Sequence, residues 1–84
     1  MPEEVIGMVS DFFARPVVAG IALTGTLKVG DKIHIKGHTT DMEFAVDSMQ
    51  IDNVEFTQAK AGDSVGVKVS ERVRRGDTVY KVTD

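Results

Sequence analysis

Three Gly-Asp pairs, Gly30-Asp31, Gly62-Asp63 and Gly76-Asp77, each stand just before a short strand-like run. Glycine supplies a positive φ and aspartate tolerates turn geometry, so each pair predicts a tight turn. After the first pair, the run Lys32–Lys36 alternates polar and apolar residues, which is the period of a strand with one buried face. We therefore expect a chain of short strands joined by tight turns.

Further strands follow from the same signals, and we predict them at 4–13, 17–23, 31–36, 41–50, 63–70 and 78–82. In the first strand, Ile6 and Met8 are expected on one face and Val5 and Val9 on the other. No segment of 12 or more residues has helical apolar spacing. The chain is therefore predicted to be all-β.

Three irregularities are expected within this pattern. Gly20, inside a strand, indicates a bulge or a close backbone approach. Met49 falls out of phase with its strand, so a bulge is expected near Asp47-Ser48. The segment 51–60 is either a short extended piece or, from Phe56 to Lys60, a helical turn.

The length of 84 residues allows one domain, 1–84. Six or seven short strands separated by turns are typical of a barrel or a sandwich. Closure removes exposed sheet edges, so we expect a small closed Greek-key barrel.

The charge balance bounds the function. The net charge is −3 and no cysteine is present, so disulfides and thiolate metal sites are excluded. Binding to nucleic acid by bulk attraction normally requires a basic protein. No apolar run approaches the roughly 20 residues of a membrane span, and Met1-Pro2-Glu3-Glu4 does not resemble a secretory signal. We expect a cytoplasmic protein without membrane contact.

Four motifs in order carry a resemblance to a known family: Gly25-Thr26-Leu27-Lys28-Val29-Gly30-Asp31, Val46-Asp47-Ser48-Met49, Ala61-Gly62-Asp63-Ser64-Val65-Gly66 and Val73-Arg74-Arg75-Gly76-Asp77. Together they resemble the β-barrel second domain of translational GTPases such as elongation factor Tu, here without a GTPase domain. The resemblance implies a barrel of the translation-factor domain 2 type. It also implies a module that binds RNA, the ribosome or a translation-related protein.

The chain departs from that family at two points. A glycine-rich phosphate loop with Lys-Ser/Thr is absent from the sequence, so GTP binding by that route is not expected. Where tRNA-carrying members hold the aminoacylated 3′ end with an acidic residue and a cation, this chain has Gln50-Ile51-Asp52. Gln50 can contact a base in place of the acid, but Asp52 would repel phosphate.

The candidate partner-binding residues are cations and one amide: Arg72, Arg74, Arg75, Lys68 and Gln50. Arginines on a turn can form forked hydrogen bonds with phosphates or carboxylates. The alternative is a solvated turn whose arginines balance Glu71 and Asp77.

Catalysis, cofactors and metals are not expected. His34 and His38 would lie about 13 Å apart on a strand, too far for one zinc ion unless the turn at Gly37 folds back. The serines and threonines show no activated-nucleophile pattern. Most of the five aromatic residues are expected in the small core, and Phe13 and Phe56 are the first two to check for exposure. The alternative to the translation-related module is a protein–protein adaptor with no nucleic-acid role, like similar accessory domains beside the catalytic domain of collagenase-like peptidases.

Overall fold

A computed structural model describes residues 3–14, 17–52 and 54–82, which form ten β-strands and no helix. Within these ranges, no helix is long and apolar enough to cross a membrane. The all-β prediction is confirmed. The strands are β1 (Glu3–Ala14), β2 (Val17–Leu23), β3 (Leu27–Lys28), β4 (Lys32–Lys36), β5 (Asp41–Ala45), β6 (Met49–Ile51), β7 (Val54–Phe56), β8 (Gln58–Ala59), β9 (Ser64–Lys68) and β10 (Thr78–Val82).

Eight of the strands form one sheet in the order β5-β4-β10-β1-β2-β9-β6-β7, and β3 pairs with β8 in a separate two-stranded ribbon. All the pairings are antiparallel. Buried aliphatic side chains from both sheets form one core cluster. Its largest fully buried members include Ile6, Ile21, Leu27, Ile33, Ile35 and Met49.

The predicted closed barrel is wrong, because no ladder joins the edge strands β5 and β7 among the described residues. Isolated backbone bonds near the ribbon link the two sides instead. Gly30 donates to the carbonyl of Val46, Val46 donates to the carbonyl of Asp31, and Val29 donates to the carbonyl of Thr57. β3 and β8 have two residues each, so the ribbon is too short to continue a ladder across the gap.

The three predicted Gly-Asp turns are confirmed and are built alike. Gly30, Gly62 and Gly76 have φ of 98°, 95° and 90°, the geometry of the third residue of a type II turn. In the first turn, Asp31 donates its N–H to the carbonyl of Lys28, and its carboxylate accepts the N–H of Lys28. The other two turns repeat both bonds. Each aspartate thus closes its turn with two hydrogen bonds, one donated by its main-chain N–H and one accepted by its carboxylate.

The first strand does not follow simple alternation. Its register shifts between Val5 and Gly7 and again between Val9 and Asp11. Ile6 and Val9 are both buried, whereas Met8 is 53% exposed. The prediction that Ile6 and Met8 share one face of the strand is therefore wrong, because each bulge changes the side to which later side chains point.

The irregularities predicted downstream take a specific form. The strand predicted over 41–50 stops at Ala45, and Met49 begins β6, which pairs with β9 and β7. Where a bulge at Asp47-Ser48 was expected, the strand ends instead. The chain pairs with β4 up to Ala45 and with β9 and β7 from Met49. Beyond it, Val54–Phe56 and Gln58–Ala59 are extended, so the helical alternative for Phe56 to Lys60 is wrong.

Candidate functional site

Two glycines meet on the outer face of the sheet. Gly20 of β2 lies directly opposite Gly66 of β9, and the same row continues to Asp11 on β1 and Gln50 on β6. Cross-strand partners share a face of the sheet, so the row crosses four strands with no side chain at its centre. We call this depression the glycine groove.

The walls of the glycine groove come from the neighbouring rows. On one side lie Phe13, Val18 and Lys68, which are partners across β1, β2 and β9. On the other side lie Ala22 and Ser64. The groove has a volume of about 540 Å³, and its lining includes Phe13, Val18, Gln50 and Ser64. Phe13 is 54% exposed and gives the groove an accessible apolar wall.

The floor has little room for larger residues. A Cβ atom added to Gly66 would lie 3.2 Å from Cγ1 of Val18, and one added to Gly20 would lie 3.1 Å from Cβ of Asp11. Glycine within a strand often marks a place where another backbone approaches closely. Of the two alternatives predicted at Gly20, a bulge or a close backbone approach, the structure shows a register shift that lies opposite it on β1, between Val9 and Asp11.

The charges around the groove are mixed. At the β1 end, Arg75 donates to the carboxylate of Asp11 at 3.1 Å, and both side chains are largely exposed. At the β6 end, Asp52 lines the groove and Glu55 is the cross-strand partner of Gln50. Lys68 flanks the floor. Neither sign of charge dominates this surface.

The predicted arginine cluster adjoins the groove but does not line it. Arg74 and Arg75 are the first two residues of the third Gly-Asp turn, and the guanidinium of Arg72 lies 5.8 Å from the ring centroid of Phe12. The three arginines line a separate shallow pocket of about 390 Å³ that shares Asp11 with the groove. The structure therefore brings the cluster, Lys68 and Gln50 around one region of the outer face.

Gly66 and Asp11 belong to this site but are not among the residues predicted from the sequence. Gly66 has the signal of a glycine inside a run of valines, the same signal that drew attention to Gly20. What the sequence did not contain is the pairing that places the two glycines opposite each other.

His34 belongs to a different region and is not paired with His38. Its Nδ1 lies 2.7 Å from Glu3 Oε2, and its Nε2 lies 2.5 Å from Asp41 Oδ1. Both hydrogen bonds raise the pKa of His34 above its ordinary value of 6.5, and the bond to Asp41 has the larger effect. Both imidazole nitrogens are therefore occupied by carboxylates.

Comparisons with known proteins relate this fold to two groups. The chain is 47% identical over 76 residues to an uncharacterized protease of Methanocaldococcus jannaschii, covering 89% of this chain and 19% of the relative. It is 41% identical over 73 residues to elongation factor 1-alpha of Pyrobaculum calidifontis, covering 82% of this chain and 16% of the relative. The chain thus spans about a fifth or less of these relatives. No protein-family model matches it.

Two solved structures share the fold of this chain. The C-terminal domain of a Geobacillus thermoleovorans protein assigned to the U32 peptidases superposes with a TM-score of 0.88 at 16% identity, covering 95% of this chain and 93% of that chain. Its selenomethionine variant superposes with a TM-score of 0.85 at 15% identity, covering 90% and 96%. At these identities the likeness concerns the fold alone.

The predicted function as a translation-factor module is contradicted by these comparisons. The elongation factor matches support a resemblance to a domain of those factors. The higher identity, however, is to a protease, and the superposed structures are peptidase C-terminal domains. The motifs that carried the resemblance are mostly turn glycines, turn aspartates and core valines, which specify a fold and leave function open.

Proposed function

We propose that the chain is an accessory module of a peptidase, and that it binds an extended segment of polypeptide in the glycine groove. In this role the module holds a protein and does not cleave it. This role is that of the protein–protein adaptor alternative, with the glycine groove as the binding surface. The observation that carries it is the opposition of Gly20 and Gly66 beneath the exposed ring of Phe13.

The dimensions of the groove suit an extended chain. Neighbouring strands lie about 4.8 Å apart, so a row across four strands spans about 14 Å, the length of roughly four extended residues. The bare floor allows a ligand backbone to approach the sheet closely. Phe13 and Val18 offer apolar contact, and the side chains of Gln50 and Ser64 offer hydrogen bonds to main-chain groups.

The electrostatics favour polypeptide over nucleic acid. Affinity for nucleic acid depends on cations that contact phosphates. The groove instead contains Asp11 and Asp52, with Glu55 beside Gln50. Arg75, the cation nearest to the β1 end, is already paired with Asp11. A phosphate backbone along the groove would meet the carboxylate of Asp52 at the β6 end, with Lys68 as the cation beside the floor.

The hydroxyls at the groove support a binding role. Ser10 donates its hydroxyl hydrogen to the carbonyl of Gly20 at 3.3 Å. A serine nucleophile needs an adjacent base, and among the described residues no histidine lines the groove. Cleavage would then belong to another part of a longer protein or to a separate chain.

An NMR titration of the isotope-labelled chain tests the proposed function. The probes are dephosphorylated β-casein, a polypeptide without a stable fold, and polyuridylic acid. We expect casein to shift the amide signals of Phe13, Gly20, Gln50 and Gly66 in a saturable manner, and polyuridylic acid to leave them in place. Casein shifts confined to other strands, or a salt-sensitive response to the RNA alone, would contradict the proposal.

A further inference from the structure

A second cluster of functional groups lies on the sheet away from the glycine groove. Glu3 at the start of β1, His34 on β4 and Glu43 on β5 bring one ligand atom each to within 4.8 Å of one another. His34 and Glu43 are direct cross-strand partners. We call these three residues the His34 cluster. Its residues line no part of the groove, so its role is independent of the proposed function.

The two nitrogens of His34 have different surroundings. Nδ1 faces the cluster, 2.7 Å from Glu3 Oε2. Nε2 faces Asp41 at the start of β5. Metal-bound histidines commonly donate the N–H of their second nitrogen to a carboxylate, which fixes the ring and its tautomer. Asp41 stands where such a carboxylate is needed.

We propose that the His34 cluster binds a divalent transition metal of the zinc class. Nδ1 of His34 and one carboxylate oxygen each from Glu3 and Glu43 are the ligands, and Asp41 accepts the Nε2 hydrogen. One imidazole with two carboxylates is a donor set that zinc accepts, with a fourth position left for solvent. The imidazole favours zinc-class ions over calcium and magnesium, which prefer oxygen ligands alone.

The geometry needs only side-chain movement. Metal–ligand bonds of about 2.1 Å place two ligands of a tetrahedral ion about 3.4 Å apart, and the cluster's atoms already lie within 4.8 Å. Glu43 also lies 3.1 Å from Lys32 Nζ, with both side chains substantially exposed. An exposed pair of this kind contributes little energy, so Glu43 can exchange the ammonium for the metal.

The charges of the region support a cation. Three carboxylates, from Glu3, Asp41 and Glu43, surround one imidazole. Two ammonium groups lie beside them: Lys32 is paired with Glu43, and Lys36 is the cross-strand partner of Asp41. Tyr80 on β10 is the cross-strand partner of His34, and its ring centroid lies 6.1 Å from that of His34. A metal at Nδ1 would displace the proton that His34 shares with Glu3, so binding must weaken as the pH falls.

Calorimetric titration with zinc chloride, on the full chain without a histidine tag, tests the site. We expect one ion per chain at pH 7.5. We expect His34→Gln to reduce the affinity at least about tenfold, and Asp41→Asn to reduce it about tenfold through the lost orienting bond. His38→Gln is the matched control, because His38 is an exposed histidine outside the cluster. It should bind zinc as the unmodified chain does.

The unmodified chain provides a second readout that needs no variant. Ring ¹⁵N signals distinguish the two nitrogens of a histidine, and zinc should move the Nδ1 signal of His34 while the ring signals of His38 stay in place. The proposal is overturned if the titration shows no saturable binding with one ion per chain. Equal losses in His34→Gln and His38→Gln, or a zinc response confined to His38, would also overturn it.

Discussion

Gly20 and Gly66 are direct partners on neighbouring strands, and neither contributes a side chain to the outer face of the sheet. Asp11 and Gln50 extend their row to either side. The resulting groove is the feature from which the proposed polypeptide binding follows.

Phe13→Ser should weaken casein binding at least about fivefold, because an exposed aromatic ring in a groove supplies much of its apolar contact. The free energy of unfolding should change by less than about 0.5 kcal/mol, since the ring is already largely in solvent. Fluorescence anisotropy with labelled dephosphorylated β-casein gives the first value and urea unfolding the second. Val5→Ser is the control, because Val5 is also 54% exposed and does not line the groove. A similar loss in both variants would show that the effect is not specific to the groove.

The double substitution Arg74→Glu with Arg75→Glu should weaken casein binding about threefold or more, with the melting temperature nearly unchanged. It replaces the cation that neutralises Asp11 by a like charge at the end of the groove. The Arg75–Asp11 pair is exposed and contributes little to stability. The double substitution Lys28→Glu with Lys60→Glu is the matched control, because these lysines begin the other two Gly-Asp turns. Unchanged affinity in the arginine variant would remove the cluster from the binding surface.

Gly30→Val should destabilise the fold by more than about 1 kcal/mol. Gly30 has a φ of 98°, and apart from its chain neighbours no residue comes within 4 Å of an added Cβ, so the cost comes from backbone strain and not from a clash. Gly30→Asn should cost less, because asparagine tolerates positive φ better than a β-branched residue. Urea unfolding of the unmodified chain, Gly30→Val and Gly30→Asn gives the order of their free energies of unfolding. Equal stability of the valine variant and the unmodified chain would contradict the turn geometry.

The His34 bonds predict a pH dependence of stability. Asp41 and then Glu3 raise the pKa of His34 in the folded chain above its ordinary 6.5. The folded state therefore holds the proton more tightly, and this stabilisation is fully present below pH 6.5 and is lost as the pH rises through the raised pKa. Urea unfolding from pH 5.5 to 8.5, in the presence of EDTA, should show that decline. His34→Gln should remove it and His38→Gln should retain it. The same slope in both variants would assign the effect to other groups.

The local features of this fold were predictable because they depend on neighbouring residues. Gly30, Gly62 and Gly76 each combine with the following aspartate to specify a turn, and alternation located β4 and β9 closely. The failures involve partners far away in the sequence. The two register shifts of β1 arise from its pairing with β2 and β10, so Met8 faces solvent where alternation predicted a shared face with Ile6.

The candidate site shows the same division between local and distant information. Gly20 could be singled out from the sequence as an irregular glycine within a strand, and Phe13 as an aromatic residue to check for exposure. Gly66 gained its importance only from lying opposite Gly20, and Asp11 only from the row that contains both. The predicted barrel failed for a related reason, because closure depends on whether the short β3 and β8 can complete a ladder.

Filling the floor of the groove tests the central claim most directly. Gly66→Leu places a side chain on the bare floor of the glycine groove, and Val18 must move because even a Cβ would lie 3.2 Å from its Cγ1. Lys36→Leu adds the same side chain to an exposed position on β4 and serves as the control. With circular dichroism establishing that both variants are folded, anisotropy with labelled dephosphorylated β-casein should show at least about a tenfold loss of affinity for Gly66→Leu and none for Lys36→Leu. Unchanged casein affinity in a folded Gly66→Leu variant would contradict the assignment of the glycine groove as the polypeptide-binding site.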